Sequence, residues 1–323
     1  MAVATTEKPD DALTGSGRGA GADRAFRIVA LTAGLTTLVV LAAIVISTTQ
    51  RAWPAFAKMG LSYITSTDWN PNQGKFGALA FIYGTFVVSV IAVVVAVPVS
   101  IGIALFVTEV APRRLRSVIT TIMDLLASVP SVVFGLWGFL VLRPHLKDVF
   151  NSIADVVHPV PILNRVFGPS LSGQSFMTAG LIVGLMITPI ITSITREVFL
   201  TVPRNDKDGA LALGATRWEM IKGVVLPYST SGISGAVMLG LGRAMGETIA
   251  IALVIGGSPQ IVANLFAQGE AMPSVIAHNL NESSGDYQAA LIGLGVALFV
   301  LTVVINIAAR SLVSTFDRRL KGA

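Results

Sequence analysis

Residues 76–108 read FGALAFIYGTFVVSVIAVVVAVPVSIGIALFVT, a run without a single Asp, Glu, Lys or Arg. A helix rises about 1.5 Å per residue, so about 20 such residues cross a hydrocarbon core of about 30 Å. The stretch therefore reads as a membrane span. Working outward, charge-free runs recur at 28–50, 125–142, 166–195, 223–242, 248–269 and 287–309. Only Arg243 to Glu247 separates the runs at 223–242 and 248–269, while Ile261 to Ser284 carries the Pro, Asn, Gln and Glu of a loop, so parts of both runs merge into one candidate helix. The expected spans are 28–48, 79–107, 118–142, 176–195, 229–255 and 288–312. The fold class that follows is an all-α integral membrane protein with six transmembrane helices.

Composition agrees. Hydrophobic residues make up 53% of the 323 positions and charged residues 13%, against about 45–50% and about 25% in soluble domains. With no cysteine, the chain has no disulfide framework, thiolate nucleophile, zinc ribbon or iron–sulfur site. His145, His158 and His278 lie far apart, so no metal site is expected. A net charge of +5 is explained by the placement of the basic residues; no basic patch interleaved with aromatics points to nucleic acid. With the N-terminus inside, the segments between spans put 16 Lys and Arg in the cytoplasm and 6 outside, Arg243 lying within a span. The positive-inside rule then places both termini in the cytoplasm of a multi-pass protein of the plasma (inner) membrane.

Residues 1–25 lack a periodic apolar pattern and read as a disordered cytoplasmic tail, leaving 26–323 as the transmembrane domain. Gly17-x-Gly19-x-x-Ala22 matches a dinucleotide fingerprint by letters, but no strand precedes it. The first span is longer than a signal-peptide core and lacks a clear cleavage site, so it is expected to remain.

Within the spans, Arg243 near the centre of 229–255 needs compensation, because a charge at a helix centre costs roughly 2.5–3.5 kcal/mol on insertion scales. Glu247, four residues on, would share its helical face and pair with it. The pair can be a permanent packing device, or it can yield its guanidinium fork to an oxyanion. Gly242-x-x-x-Gly246 fits close helix approach. Pro130 should kink span three, where Ser128 and Ser131 can satisfy freed backbone groups or meet an anion. Asp124 is expected to pair with a basic residue or cap a backbone group.

Between spans four and five lies the loop 195–222. Asp206 or Asp208 can cap a short helix there, and Gly214 suits its left-handed end. A second helix, Trp218 to Val225, should lead through Leu226-Pro227 into span five. Such an element would lie on the membrane surface with apolar side chains exposed, ready to dock a partner. In the loop 143–175, Leu146, Val149, Phe150, Ile153, Val156 and Val157 mark a short amphipathic helix, suited to a membrane surface or to a solute-binding protein.

The string Asp208-Gly209-Ala210-Leu211-Ala212-Leu213-Gly214-Ala215-Thr216, with Ile221 and Leu226-Pro227, resembles the EAA loop of ABC-importer permeases, although Asp208 and Gly209 stand where many members have Glu and Ala. Ser128 to Gly138 and Gly240 to Thr248 are similar to phosphate-importer permeases, and Thr67-Asp68-Trp69-Asn70-Pro71 with Phe76-Gly77 resembles their PstC type more than the PstA partner. The resemblance implies a permease subunit of an ATP-driven importer of inorganic phosphate, itself no enzyme and without a cofactor. It implies that Asp208, Gly209, Ala210, Leu211, Ala212, Leu213, Gly214 and Ala215 engage an ATPase, and that Arg243, Glu247, Ser128, Ser131 and Thr248 line the substrate path. The implied partners are a second permease of PstA type, ATPase subunits of PstB type, a phosphate-binding protein of PstS type and membrane lipid, with no nucleic acid. The chain has no G-x-x-x-x-G-K-[ST] motif of its own, so an ATPase would be another polypeptide. Another oxyanion, molybdate or sulfate, and the PstA-type role are the alternatives.

Overall fold

The computed structural model describes the backbone of residues 20–321 and the side chains of residues 21–311 other than residue 22. Its main helices are α1 (Ala20–Met59), α2 (Leu79–Val110), α3 (Arg113–Ser128), α4 (Ser131–Val157), α5 (Phe176–Leu200), α6 (Arg204–Ala212), α7 (Arg217–Gly246), α8 (Ile249–Val254), α9 (Met272–Asn279) and α10 (Gly285–Lys321). Two short antiparallel strands, β1 (Trp69–Asn70) and β2 (Lys75–Phe76), pair Trp69 with Phe76. Among the described residues, α1, α2, α5, α7 and α10 contain segments long and apolar enough to cross a membrane, and the α3–α4 pair makes a sixth if it is taken as one bent span.

The chain divides into two compact units, Met1–Gln50 and Arg51–Ala323. In the first, the helix begins at Ala20, inside the segment expected to be a tail; the rest of that tail lies outside the described residues. Thr32, Thr36 and Thr37 return their hydroxyls to carbonyls one turn back, which satisfies these three donors on a largely apolar stretch of helix.

Two expected spans are interrupted. Span three is not continuous over 118–142: α3 stops at Ser128, α4 starts at Ser131, and the two are bent by 92°. Val129 is extended (φ −67°, ψ 127°), as a residue before proline is pushed to be, and Pro130 (φ −58°, ψ 140°) has no N–H to continue the ladder. Nor does the helix end at 142. Through a π turn at Gly138–Leu142 it runs on to Val157, so the amphipathic helix expected in the following loop is its C-terminal half. Span five is broken as well: α7 ends at Gly246, Glu247 is extended (φ −68°, ψ 129°), and α8 resumes at Ile249. The segment 261–284, expected to be a loop, contains α9.

The centre of the second unit is the packing of α2 on α5. Val88, Ile91 and Ala92 meet Ala179, Ile182, Val183 and Ile187 in one buried cluster. Gly180 lets the helices approach, since a Cβ there would stand 2.6 Å from Ile91 Cβ. At one end of this layer an aromatic cluster joins the strands to α2 and α10: Trp69 stands edge-on to Phe76 and Phe81, and Tyr63 Oη donates to the Ala290 carbonyl at 2.7 Å. At the other end, Ala104, Phe199, Val202, Met220, Ile221 and Val225 gather α2, α5 and the start of α7.

Close approach also sets the loop that follows α8. A Cβ on Gly84 of α2 would run into the Glu270 carbonyl, whereas one on Gly102 of the same helix would meet nothing within 4 Å. Gly84→Ala should therefore destabilise the protein by about 1–3 kcal/mol, the range for overpacking a filled site. Thermal unfolding in detergent checks this: the midpoint should fall by several degrees for Gly84→Ala and hold or rise for Gly102→Ala, and equal midpoints would contradict the packing.

Candidate functional site

The two breaks lie side by side. A Cβ on Gly135 of α4 would sit 2.8 Å from Ala250 Cα, and one on Gly138 would sit 3.4 Å from Val254 Cγ1 as well as striking Ile182. Contacts 135 to 250 and 138 to 254 rise together, so α4 and α8 run parallel and their starts, Ser131 and Thr248–Ile249, lie at the same end. Small residues allow this contact at two successive turns.

Each start treats its free backbone donors differently. At α8, Glu247 Oε1 accepts the Ala250 N–H at 3.3 Å, a carboxylate on the positive end of a helix. Glu247 is 8% exposed. At α4 no side chain caps the first turn; only Val133 N–H is met locally, by the Pro130 carbonyl at 3.0 Å.

The expected ion pair between Arg243 and Glu247 is absent among the described residues. Four-residue spacing shares a face only in an unbroken helix, and Glu247 has left α7 to cap α8. Arg243 instead lies exposed in the last turn of α7, at the edge of a face where a Cβ at Gly235, Gly242 or Gly246 would meet nothing within 4 Å. The opposite face is packed, with Gly240 against Ile191 and Ala236 and Ala244 buried. Close packing of Gly242 and Gly246, expected from their spacing, does not occur among the described residues.

Of the other expected pathway residues, Ser131 and Thr248 begin the parallel helices. Thr248 Oγ1 donates to the Gly246 carbonyl at 3.2 Å. Ser128 lies before the bend and donates to the Leu125 carbonyl at 2.7 Å. Asp124 is exposed on α3 and forms no ion pair among the described residues, contrary to expectation. The bend thus separates Ser128 and Asp124 from Ser131.

A second feature is the surface helix α6. Its N-cap is Pro203, so Asp206 and Asp208 lie inside the helix rather than capping it; Asp206, in the first turn, still favours the helix's positive end. At the other end Gly214 has φ +88°, its N–H donating to the Leu211 carbonyl at 3.0 Å and that of Ala215 to the Ala210 carbonyl at 3.2 Å. A left-handed residue closing the helix this way needs glycine. Thr216 then opens α7 with a capping box, its Oγ1 accepting from Glu219 N–H while Glu219 Oε2 accepts from Thr216 N–H. That Thr-x-x-Glu spacing was readable in the sequence but not singled out. Asp208, Gly209, Leu211, Ala212, Leu213 and Gly214 are exposed, Leu213 at 91%, while Ala210 and Ala215 are half-buried against the body.

The first turns of α7 pass through a π turn at Ile221–Val225, where Leu226 N–H reaches back to the Ile221 carbonyl. The wider turn takes up the disturbance caused by Pro227, which has no N–H and whose ring crowds the preceding turn.

Three groups were not anticipated. Lys207 of α6 pairs with Glu109 of α2 at 2.6 Å, both side chains mostly buried. Arg196 of α5 donates to Thr120 Oγ1 of α3 at 2.9 Å, and Arg116 of α3 donates to the Thr108 carbonyl of α2 at 2.9 Å. Glu270, at the foot of α9, is buried, and burial raises its carboxyl above the usual range. No local spacing announces contacts between residues 98 positions apart.

Residues 96–322 match the family of the binding-protein-dependent transport system inner membrane component. The chain is 43% identical to the phosphate transport system permease protein PstC of Mesorhizobium japonicum, over 92% of this chain and 91% of that one, and 41% identical to the PstC of Xylella fastidiosa over 94% of each. Among solved structures it is similar to a chain of a bacterial alginate ABC transporter in complex with an alginate-bound periplasmic protein (TM-score 0.57, 17% identity, 93% of this chain and 98% of that one). It is also similar to a chain of the inward-facing MetNI methionine ABC transporter (TM-score 0.51, 16% identity, 74% and 94%). At those identities the structural likeness is one of fold. The chain belongs to the binding-protein-dependent transport inner membrane component family and, within it, to the PstC-type phosphate transport permeases.

Proposed function

We propose that this chain is the membrane-spanning permease subunit of an ATP-driven importer of inorganic phosphate, and that phosphate passes the break where α4 and α8 begin. The observation that carries the reading is Arg243, an exposed basic residue at the edge of the open face of α7, one turn before that break. A charge facing lipid costs roughly 2.5–3.5 kcal/mol on insertion scales, so this face calls for cover by protein or water. A second permease of PstA type laid along Gly235, Leu239, Gly242 and Gly246 supplies that cover and makes the face a shared pathway. The fork of Arg243 suits two phosphate oxygens. Ser131, Thr248 and the uncapped first turn of α4 add neutral donors at the same end of the parallel pair. Glu247, committed to the α8 cap, holds the break in shape and sets a negative wall that keeps the anion from resting too firmly.

The exposed side of α6 is the seat for an ATPase subunit of PstB type, with Leu211, Ala212 and Leu213 as its apolar contacts and Asp208, Gly209, Ala210, Gly214 and Ala215 shaping the helix and its end. A PstS-type binding protein delivers phosphate at the opposite face, where the aromatic cluster and the outer half of α4 stand. ATP binding on the partner moves α6, and the two states differ in the contacts that α6 makes; only such a difference shifts a balance between conformations. Both termini and α6 then face the cytoplasm.

Two outcomes are expected. In vesicles carrying the complete assembly, Arg243→Ala should insert normally and lose about 1.5–3 kcal/mol of charged hydrogen bonding to the ion, roughly 10–100-fold in uptake of labelled phosphate. Uptake in the parent should withstand excess sulfate and molybdate; near-normal uptake by the variant, or equal competition by either anion, would overturn the assignment. Since the chain has no cysteine, single replacements report topology directly. Leu213→Cys and Leu171→Cys, at sites 91% and 87% exposed, should react with an impermeant thiol reagent from opposite sides of the membrane; labelling from one side would exclude the orientation.

A further inference from the structure

The contact between Lys207 and Glu109 joins the middle of α6 to the last turn of α2, and nothing assigned so far uses it. Nζ stands 2.6 Å from Oε1, with the side chains 17% and 10% exposed. An exposed pair at such a spacing contributes little, but one withdrawn from water holds its geometry firmly because either charge left alone would be costly. Its placement is also unusual. Glu109 lies in a π turn, Phe106–Val110, in which Ala111 N–H reaches back to the Phe106 carbonyl at 2.7 Å. An inserted π turn rotates the residues after it relative to a regular helix and is frequent where a helix serves a function. The same turn is gripped from α3, through Arg116 to the Thr108 carbonyl.

The remaining hold on α6 is thin. None of its residues is fully buried; Ala210 touches the cluster of Phe199, Val202, Met220, Ile221 and Val225, and the outward side is open. Along the chain, α6 is tied to α5 through Thr201–Pro203 and to α7 through Gly214–Thr216, both non-helical. A push on α6 therefore reaches its sequence neighbours through two short non-helical links and reaches α2 through the ion pair, the one salt bridge that ties α6 to another helix among the described residues. Helix α2 in turn packs on α5 along the core.

We infer that Glu109 and Lys207 are positioning residues for energy coupling: their ion pair makes α2 move with α6, so that ATP hydrolysis on the partner is converted into movement of the transport core. The inference rests on the reading of α6 as the ATPase seat. It assigns the pair neither contact with phosphate nor contact with ATP.

The test uses the complete transporter, reconstituted with its partner subunits, and reads phosphate moved per ATP hydrolysed together with the ATPase retained on a tagged permease. Glu109→Gln and Lys207→Gln should retain the ATPase and hydrolyse ATP within about twofold of the parent, while transport per ATP falls by at least about fivefold; the charge exchange Glu109→Lys with Lys207→Glu should recover more than about half of it, the sign of a direct pair rather than two separate effects. A pair that only props up the fold would lower the yield of intact complex in both single variants yet leave transport per ATP unchanged, which would overturn the proposal. So would single variants indistinguishable from the parent, or an exchange that keeps the ATPase but restores nothing. The underlying reading is tested apart from the pair: Gly214→Leu, strained at φ +88°, should lose the ATPase, and full retention would contradict the seat on α6 itself.

Discussion

Backbone amides and carbonyls inside hydrocarbon have no water to bond, so a chain that interrupts two spans must supply partners and cover for the groups it frees. Here the interruptions protect one another. Gly135 brings α4 onto Ala250 at the start of α8, and Glu247 turns out of α7 to meet the Ala250 N–H. One short contact therefore places two helix starts together and holds a carboxylate at one of them. Free backbone donors and a carboxylate stand where a regular bundle would have only apolar side chains, and an exposed arginine, Arg243, lies one turn before the break in α7. In the proposed reading, the breaks are what let a membrane helix layer built from Val, Ile and Ala handle an anion.

The rest of the molecule can be understood as support for that arrangement. Tight packing of α2 on α5, made possible by Gly180 against Ile91, gives α8 a stiff surface to rest on. Beyond α8, the loop that returns to α9 is tied down by its backbone, with Gly269 N–H to the Ile255 carbonyl and Ser258 N–H to the Gly269 carbonyl, both at 3.0 Å. Gly256 and Gly257, at φ +105° and +73°, make the turn that permits this. At the α6 end the order is reversed: few apolar contacts, open side chains and one buried ion pair. A stiff centre with a loosely seated lever is what the proposed division of labour between transport and energy input requires.

Much of this was legible in the amino-acid sequence, and the failures share a cause. Charge-free runs located the spans because desolvation acts residue by residue, and Gly214 announced its left-handed turn because only glycine adopts it without strain. Pro130 signalled a disturbance in span three, but not that the chain would turn by 92° there, since the size of a bend depends on what α3 and α4 pack against. Span five misled more. Nothing between Gly246 and Thr248 resembles a helix breaker as strong as proline, and the four-residue spacing of Arg243 and Glu247 invited a pairing that needs an unbroken helix. The capping of α8 by Glu247 competes with that pairing and wins because the break leaves N–H groups unmet. Lys207 and Glu109 were invisible for a different reason: they meet only once the α2–α5 layer exists. Residue types at the site could be named in advance; their partners depended on tertiary contact.

The central claim is that the joint start of α4 and α8 is on the path of phosphate. The most direct measurement replaces Thr248 with cysteine in this cysteine-free chain and follows its reaction with a small charged thiol reagent in the assembled transporter, with and without phosphate. The account predicts that the cysteine reacts, that phosphate slows the reaction in proportion to site occupancy, and that sulfate at the same concentration does not. A cysteine that is inert, or one whose reaction phosphate leaves unchanged while transport proceeds, would put the path elsewhere.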